Sequence, residues 1–180
     1  MVTTDDGALA ARLRRLRNHG GQRVKARVLE FIEPGYNYRL SELPAALGLS
    51  QMRRLDAILA DRRATAMRYN QALEGIPGVW VPEVPTDAIW SYQSYVVVLN
   101  DRFDRDRVIA GMDAKGIETT VGTYACHQHP AFLNWISQPM ALPNSARFAD
   151  HSLTLPLVPR MSRSEVETVV ESLSSLLGSL

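Results

Sequence analysis

With 180 residues, 46% of them hydrophobic and 22% charged, the chain has enough apolar material for one ordinary globular core. A formal net charge of +1 gives no global reason to favour nucleic acid or an anionic membrane surface as partner. The single cysteine, Cys126, cannot form an internal disulfide, so nothing points to an oxidising compartment. No apolar run approaches the roughly 20 residues that span a bilayer. Residues 1–6 show neither the basic start nor the apolar stretch of a signal peptide, and the expected location is the cytoplasm. Nearly all the positive charge is arginine, lysine occurring only at Lys25 and Lys115.

In chain order, residues 1–4 read as a short strand, and Asp5-Asp6 opens a helix with Leu9, Leu13 and Leu16 on one face, ended by His19-Gly20-Gly21. Residues 22–38, with Glu33-Pro34-Gly35 inside them, show no sustained period and read as a loop of unusual length. From Ser41 onward Leu43, Leu47, Leu55, Ile58, Ala66, Tyr69 and Leu73 recur at three- and four-residue spacing or its multiples, which predicts one long amphipathic helix. Ser41 is its expected N-cap, with Pro44 tolerated in the first turn. A glycine inside a helix costs up to about 1 kcal/mol relative to alanine, so Gly48 implies either close approach of another backbone or a tolerated surface position.

Glycine and proline punctuate residues 75–85, after which residues 92–99, rich in valine and tyrosine, predict a strand. Asp104 caps a helix burying Val108, Ile109 and Met112, ended by Lys115-Gly116, and residues 117–121 predict a second strand. A polar loop follows, Gly122-Thr123-Tyr124-Ala125-Cys126-His127-Gln128-His129-Pro130. Asn144 or Ser145 starts another helix, residues 153–157 form a short extended piece broken by Pro156, and Ser162 with Glu165 forms a capping box. Val166, Val169, Val170, Leu173 and Leu177 then mark a closing amphipathic helix.

Cys126, His127 and His129 bring zinc-compatible ligand types together, but no CxxC or HxxxH accompanies them and no third and fourth ligand is evident. A Cys-His nucleophile pair is no better supported, since adjacent side chains diverge. The stretch from Leu40 to Ser50 followed by Arg53-Arg54 offers a rival reading as a DNA-binding helix-turn-helix, with Gly48 at the turn and Ser50 opening a recognition helix. Pro44 and the helical period running through Gly48 count against it.

Gly35-Tyr36-Asn37-Tyr38-Arg39-Leu40-Ser41-Glu42-Leu43-Pro44-Ala45-Ala46-Leu47-Gly48 resembles the GYNYRxSxxxAALG signature of DegT/StrS-type sugar aminotransferases, which are fold-type-I pyridoxal-phosphate enzymes. Leu13-Arg14-Arg15-Leu16-Arg17-Asn18-His19-Gly20 before it, and Gly116-Ile117-Glu118-Thr119-Thr120, Leu155-Pro156-Leu157 and Met161-Ser162 after it, also fall in family order. The resemblance covers essentially the whole chain but only the second half of the family's usual length.

The resemblance implies an α/β fold, the C-terminal part of a fold-type-I transferase. Its divisions would be the tail of a large cofactor-binding domain with an interface loop (1–40), a long connecting helix (41–74), and a small C-terminal domain with a short sheet covered by helices (75–180). It further implies amino transfer, commonly from glutamate, to a keto-sugar carried on a nucleotide. Asn37 would reach across a homodimer interface to the cofactor phosphate, and an amide donor suits a phosphate oxygen; taken alone, a loop asparagine is more often a turn residue. Tyr124 and His127 inherit a substrate-binding role, although Tyr124-Ala125-Cys126-His127 departs from the commoner tyrosine-proline-leucine-histidine wording. The family's imine-forming lysine matches neither Lys25 nor Lys115, so this chain alone is expected to retain no pyridoxal phosphate and to be inactive. Its expected partners are the missing N-terminal half or a full-length homologue, and further copies of itself, with neither nucleic acid nor membrane among them. Missing core neighbours would leave apolar surface exposed.

Overall fold

In the computed structural model, which describes residues 2–26, 28–134 and 141–179, the chain divides between Arg54 and Leu55 into two compact units. In the first, α1 (Gly7–Leu16) is opened by Asp6, whose carboxylate accepts the N–H groups of Ala8 and Leu9 at 2.8 and 3.1 Å. Residues 2–4 are irregular rather than the expected strand, since no strand pairs with them among the described residues; Met1 lies outside those residues.

The loop expected over 22–38 is corrected by the structure: it contains an antiparallel hairpin of β1 (Gly21–Lys25) and β2 (Val28–Phe31), pairing Gly21 with Phe31 and Arg23 with Leu29. Apart from Gly21 every residue of both strands is exposed. With no buried face, no alternation of apolar and polar residues is required, and the usual strand signal is lost.

The single helix expected over 41–74 is two. α2 spans Glu42–Met52 and α3 spans Leu55–Leu73, with a turn at Arg53-Arg54. The last turn of α2 tightens there, Arg54 N–H reaching Gln51 O at 3.1 Å, and the Arg54 guanidinium folds back on Gln51 Oε1. The spacing misled because it bridges Leu47 to Leu55 across Arg53-Arg54, where the helix is interrupted. Ser41 occupies the N-cap in extended backbone but makes no side-chain cap bond. Gly48 has nothing within 4 Å of a would-be Cβ, which is the surface-glycine alternative. Because α2 runs unbroken through Gly48 and Ser50, the turn that a helix-turn-helix needs at that point is absent.

The second unit is built on a four-stranded antiparallel sheet of order β3-β4-β6-β5, comprising β3 (Val79–Trp80), β4 (Tyr95–Leu99), β5 (Thr120–Val121) and β6 (Ser152–Leu155). β4 and β6 are central, with Tyr95 opposite Leu155 and Val97 opposite Leu153, and their side chains are nearly all buried. This explains the continuous valine run of β4, since a strand covered on both faces need not alternate. β4 is shorter than the expected 92–99, Tyr92 having a positive φ of 47°. β5 is only the end of the expected 117–121. Burying each large aliphatic side chain here is worth about 1.5–3 kcal/mol.

α3, α4 (Arg105–Asp113) and α7 (Arg163–Ser179) cover the sheet. α3 contributes Ala66, Tyr69 and Leu73 to the core, α4 Val108 and Met112, and α7 the five residues expected of it. The α7 capping box forms as its sequence implied: Ser162 N–H donates to Glu165 Oε2 at 2.6 Å, and Glu165 N–H to Ser162 Oγ at 3.2 Å. Bonds from the Ser162 hydroxyl and backbone hold the Glu165 carboxyl below its ordinary range. α4 is capped by Asp104, which accepts from Asp106 and Arg107 N–H at 2.9 and 3.1 Å. Asp104→Ala is expected to destabilise the second unit by about 1 kcal/mol, read by urea unfolding with unchanged m-value. The remaining helices are α5 (Pro130–Leu133) and α6 (Pro143–His151), the latter starting a residue or two before the expected Asn144 or Ser145.

Candidate functional site

In the first unit the site is built from a glycine crossing. Gly20 has a φ of +73°, and a Cβ on it would lie 1.6 Å from Glu33 O; a Cβ on Gly35 would lie 2.1 Å from Gly20 N. Two glycines are therefore what let residues 33–35 pass directly over the end of α1. Beyond the crossing, backbone bonds lace the chain to that helix end. Tyr36 N–H reaches Leu16 O at 2.7 Å, His19 N–H reaches Tyr36 O at 2.9 Å, and Tyr38 N–H reaches Arg17 O at 2.9 Å. Asn18 and Asn37 form a bridge within this lacing.

Alternation along extended backbone puts Tyr36 and Tyr38 on one side, where their rings stack 4.9 Å apart and within 5° of parallel. Asn37 lies between them and on the other side. It is exposed, and its amide makes no side-chain hydrogen bond among the described residues. The tyrosine side faces a groove of about 860 Å³ lined by Leu13, Arg14, Leu16, Arg17, Tyr36 and Tyr38 among others.

Two polar ties flank this loop. Before it, Glu33 accepts from Arg12 Nε at 3.2 Å and from Arg15 Nε at 3.1 Å. After it, the Arg39 guanidinium donates to Asn18 Oδ1. Partial burial raises the Glu33 carboxyl, but the two arginines outweigh that, and its pKa lies below the ordinary value of 4.5. Sequence reasoning singled out Asn37 and did not anticipate this clamp. Its available signal was Arg12 and Arg15, one turn apart on α1, with Glu33 as the acid next to the Gly35 signature.

Tyr124 and His127 belong to the second unit. Their loop leaves the sheet at Gly122, whose N–H donates to Ser152 O at 3.0 Å and where a Cβ would meet Ser152 Oγ at 2.6 Å. Ala125, fully buried, anchors the loop again, leaving Tyr124 between the two anchors with its side chain 66% exposed. His127 is half-buried in a short 3-10 turn, Cys126–Gln128, and His129 meets the Tyr124 ring edge-on at 5.6 Å. The loop thus offers an exposed aromatic ring beside the His129 imidazole. Among the described residues no group of three histidine, cysteine, aspartate or glutamate side chains is placed to hold a metal. No described helix is long and apolar enough to cross a membrane.

Exposed apolar side chains concentrate in the first unit: Leu40, Leu43, Leu47, Leu49 and Met52 are each more than half exposed. That is the uncovered apolar surface expected of the chain. Lys25, on β1, and Lys115, past the end of α4, are both exposed.

The family model described as DegT/DnrJ/EryC1/StrS aminotransferase family matches residues 1–174. The spore coat polysaccharide biosynthesis protein SpsC of Bacillus subtilis is 32% identical over 190 residues, covering 98% of this chain and 49% of SpsC. Among solved structures, DesV of S. venezuelae superposes with a TM-score of 0.83 at 30% identity, covering 97% of this chain and 45% of DesV. The aminotransferase TlmJ of Streptoalloteichus hindustanus does so with a TM-score of 0.85 at 30% identity, over 97% and 46%. The α/β fold expected of the chain is the fold of these proteins. The chain spans about half the length of the relatives it matches.

Proposed function

The chain belongs to the DegT/DnrJ/EryC1/StrS aminotransferase family, and from that premise we propose that it is one part of a pyridoxal-phosphate-dependent nucleotide-sugar aminotransferase, inactive by itself. The reaction of the whole enzyme is amino transfer, with glutamate as donor, to a keto-sugar carried on a nucleotide. Residues 1–40 side with the cofactor-binding domain, 41–74 connect, and 75–180 form the small domain. Asn37 donates its amide to the cofactor phosphate of a partner subunit, and Tyr124 and His127 meet the nucleotide-sugar.

The observation that carries this reading is the Asn37 loop. A backbone fixed at Tyr36 and Tyr38 holds an amide that makes no side-chain hydrogen bond among the described residues, which suits recognition of an external oxyanion. When bound, pyridoxal phosphate supplies the carbonyl that takes up the amino group and the ring that accommodates the displaced electrons. The residues present fit the phosphate end of that cofactor and not its carbonyl end. An imine-forming lysine is activated by a desolvated or cationic setting, whereas Lys25 and Lys115 are solvent-exposed amines. No chemical step is therefore assigned to this chain alone. Its surface supports association instead, the partners being a second copy, the other half of such an enzyme or a full-length homologue.

The test is an absorbance spectrum after incubation with pyridoxal phosphate and removal of excess, followed by borohydride reduction and peptide mapping. The expected result is no retained chromophore and no specific adduct. A stoichiometric adduct on Lys25 or Lys115 would overturn the claim of inactivity. Restored turnover on mixing with a separately expressed first half would support the assembly.

A further inference from the structure

We propose that Glu33 is a positioning residue, acting through Arg12 and Arg15 to hold the Tyr36-Asn37-Tyr38 backbone against α1; this rests on the reading of Asn37 as a phosphate donor. Arg12 and Arg15 are one turn apart on α1, so a carboxylate between them spans a fixed length of helix, and both contacts are within hydrogen-bond distance at 3.2 and 3.1 Å. Glu33 stands two residues before Gly35, and the crossing at Gly20 leaves no slack between it and the loop. On the far side, Arg39 ties the departing chain to Asn18, itself bridged to Asn37. The asparagine is thereby bracketed between an ion pair and a hydrogen bond from a guanidinium to an amide oxygen. Its own side chain contributes nothing to either, which leaves it available to a ligand.

Glu33 ionises below the ordinary carboxylate value, so the clamp is fully made at neutral pH and is lost only as the pH falls through that lowered value. The groups facing it are the guanidinium groups of Arg12 and Arg15. The clamp therefore carries a pH signature that a packing role lacks.

The experiment is residue-resolved amide exchange on the whole chain, with the β4 amides as internal control. In Glu33→Ala the Tyr36 and Tyr38 amides are expected to exchange about tenfold faster while β4 is unchanged. In the wild type their protection, corrected for intrinsic exchange, should fall in acid with an inflection that Glu33→Gln lacks. Equal protection in wild type and Glu33→Ala, or the same inflection in Glu33→Gln, overturns the clamp. If Glu33→Ala does not fold, the acid series on wild type and Glu33→Gln decides alone. Titration with inorganic phosphate of the chain mixed with a separately expressed first half, followed through the Asn37 side-chain amide resonances, separates the parent reading: no shift in wild type overturns the phosphate role even when the exchange results come out as expected. A shift weakened in Glu33→Gln supports both.

Discussion

Gly20→Ala is expected to detach the asparagine loop from α1, at a cost of about 3 kcal/mol or more to the order of the first unit. Two effects add. The left-handed φ of +73° costs an L-residue about 1–2 kcal/mol. The new methyl would also sit 1.6 Å from a backbone oxygen, a clash no side-chain rotation relieves. Gly35→Ala should act similarly, because its methyl would meet the Gly20 backbone at 2.1 Å. Limited proteolysis reads the result: cleavage between residues 22 and 38 should rise sharply, while the second unit, which contains neither glycine, keeps its thermal transition. Unaltered resistance to protease would show that the crossing is not what fixes the loop.

That crossing shows how unevenly the molecule can be read from its residues. The Gly35-Tyr36-Asn37-Tyr38 signature is legible because it is contiguous, and so are the Asp6, Asp104 and Ser162 caps, which act within three residues. The five core positions of α7 are legible because one buried face imposes the helical period. The β1-β2 hairpin escapes notice because both its faces are exposed. β3 is two residues long, too short to carry a pattern. The break at Arg53-Arg54 involves neither glycine nor proline, so no local breaker announces it. The strand order places β6 between β4 and β5, with pairings more than 30 residues apart in sequence that no local pattern encodes. At the site the division is the same. Asn37, Tyr124 and His127 come from wording, whereas the tie from Glu33 to Arg12 and Arg15 spans 18 to 21 positions and emerges only in three dimensions.

The second unit should depend most on one tyrosine of α3. Tyr69 is fully buried, stacks on Tyr95 with ring centroids 4.6 Å apart, and donates its hydroxyl to Pro156 O at 2.8 Å. The next residue back, Arg68, donates to Met161 O at 2.7 Å, so two consecutive side chains of α3 hold the backbone between β6 and α7. Burial pushes both tyrosine hydroxyls well above their usual range, which keeps them neutral donors at any pH the fold tolerates. Tyr69→Phe keeps the ring and leaves a carbonyl without its donor, an expected loss of about 1–3 kcal/mol. Tyr69→Ala removes the ring as well and opens a cavity beside Tyr95, for an expected loss of about 3–5 kcal/mol. Urea unfolding followed by tyrosine fluorescence and circular dichroism orders the three proteins. A phenylalanine variant as stable as the wild type would mean that the Pro156 carbonyl finds another partner, and the role of Tyr69 would then reduce to packing.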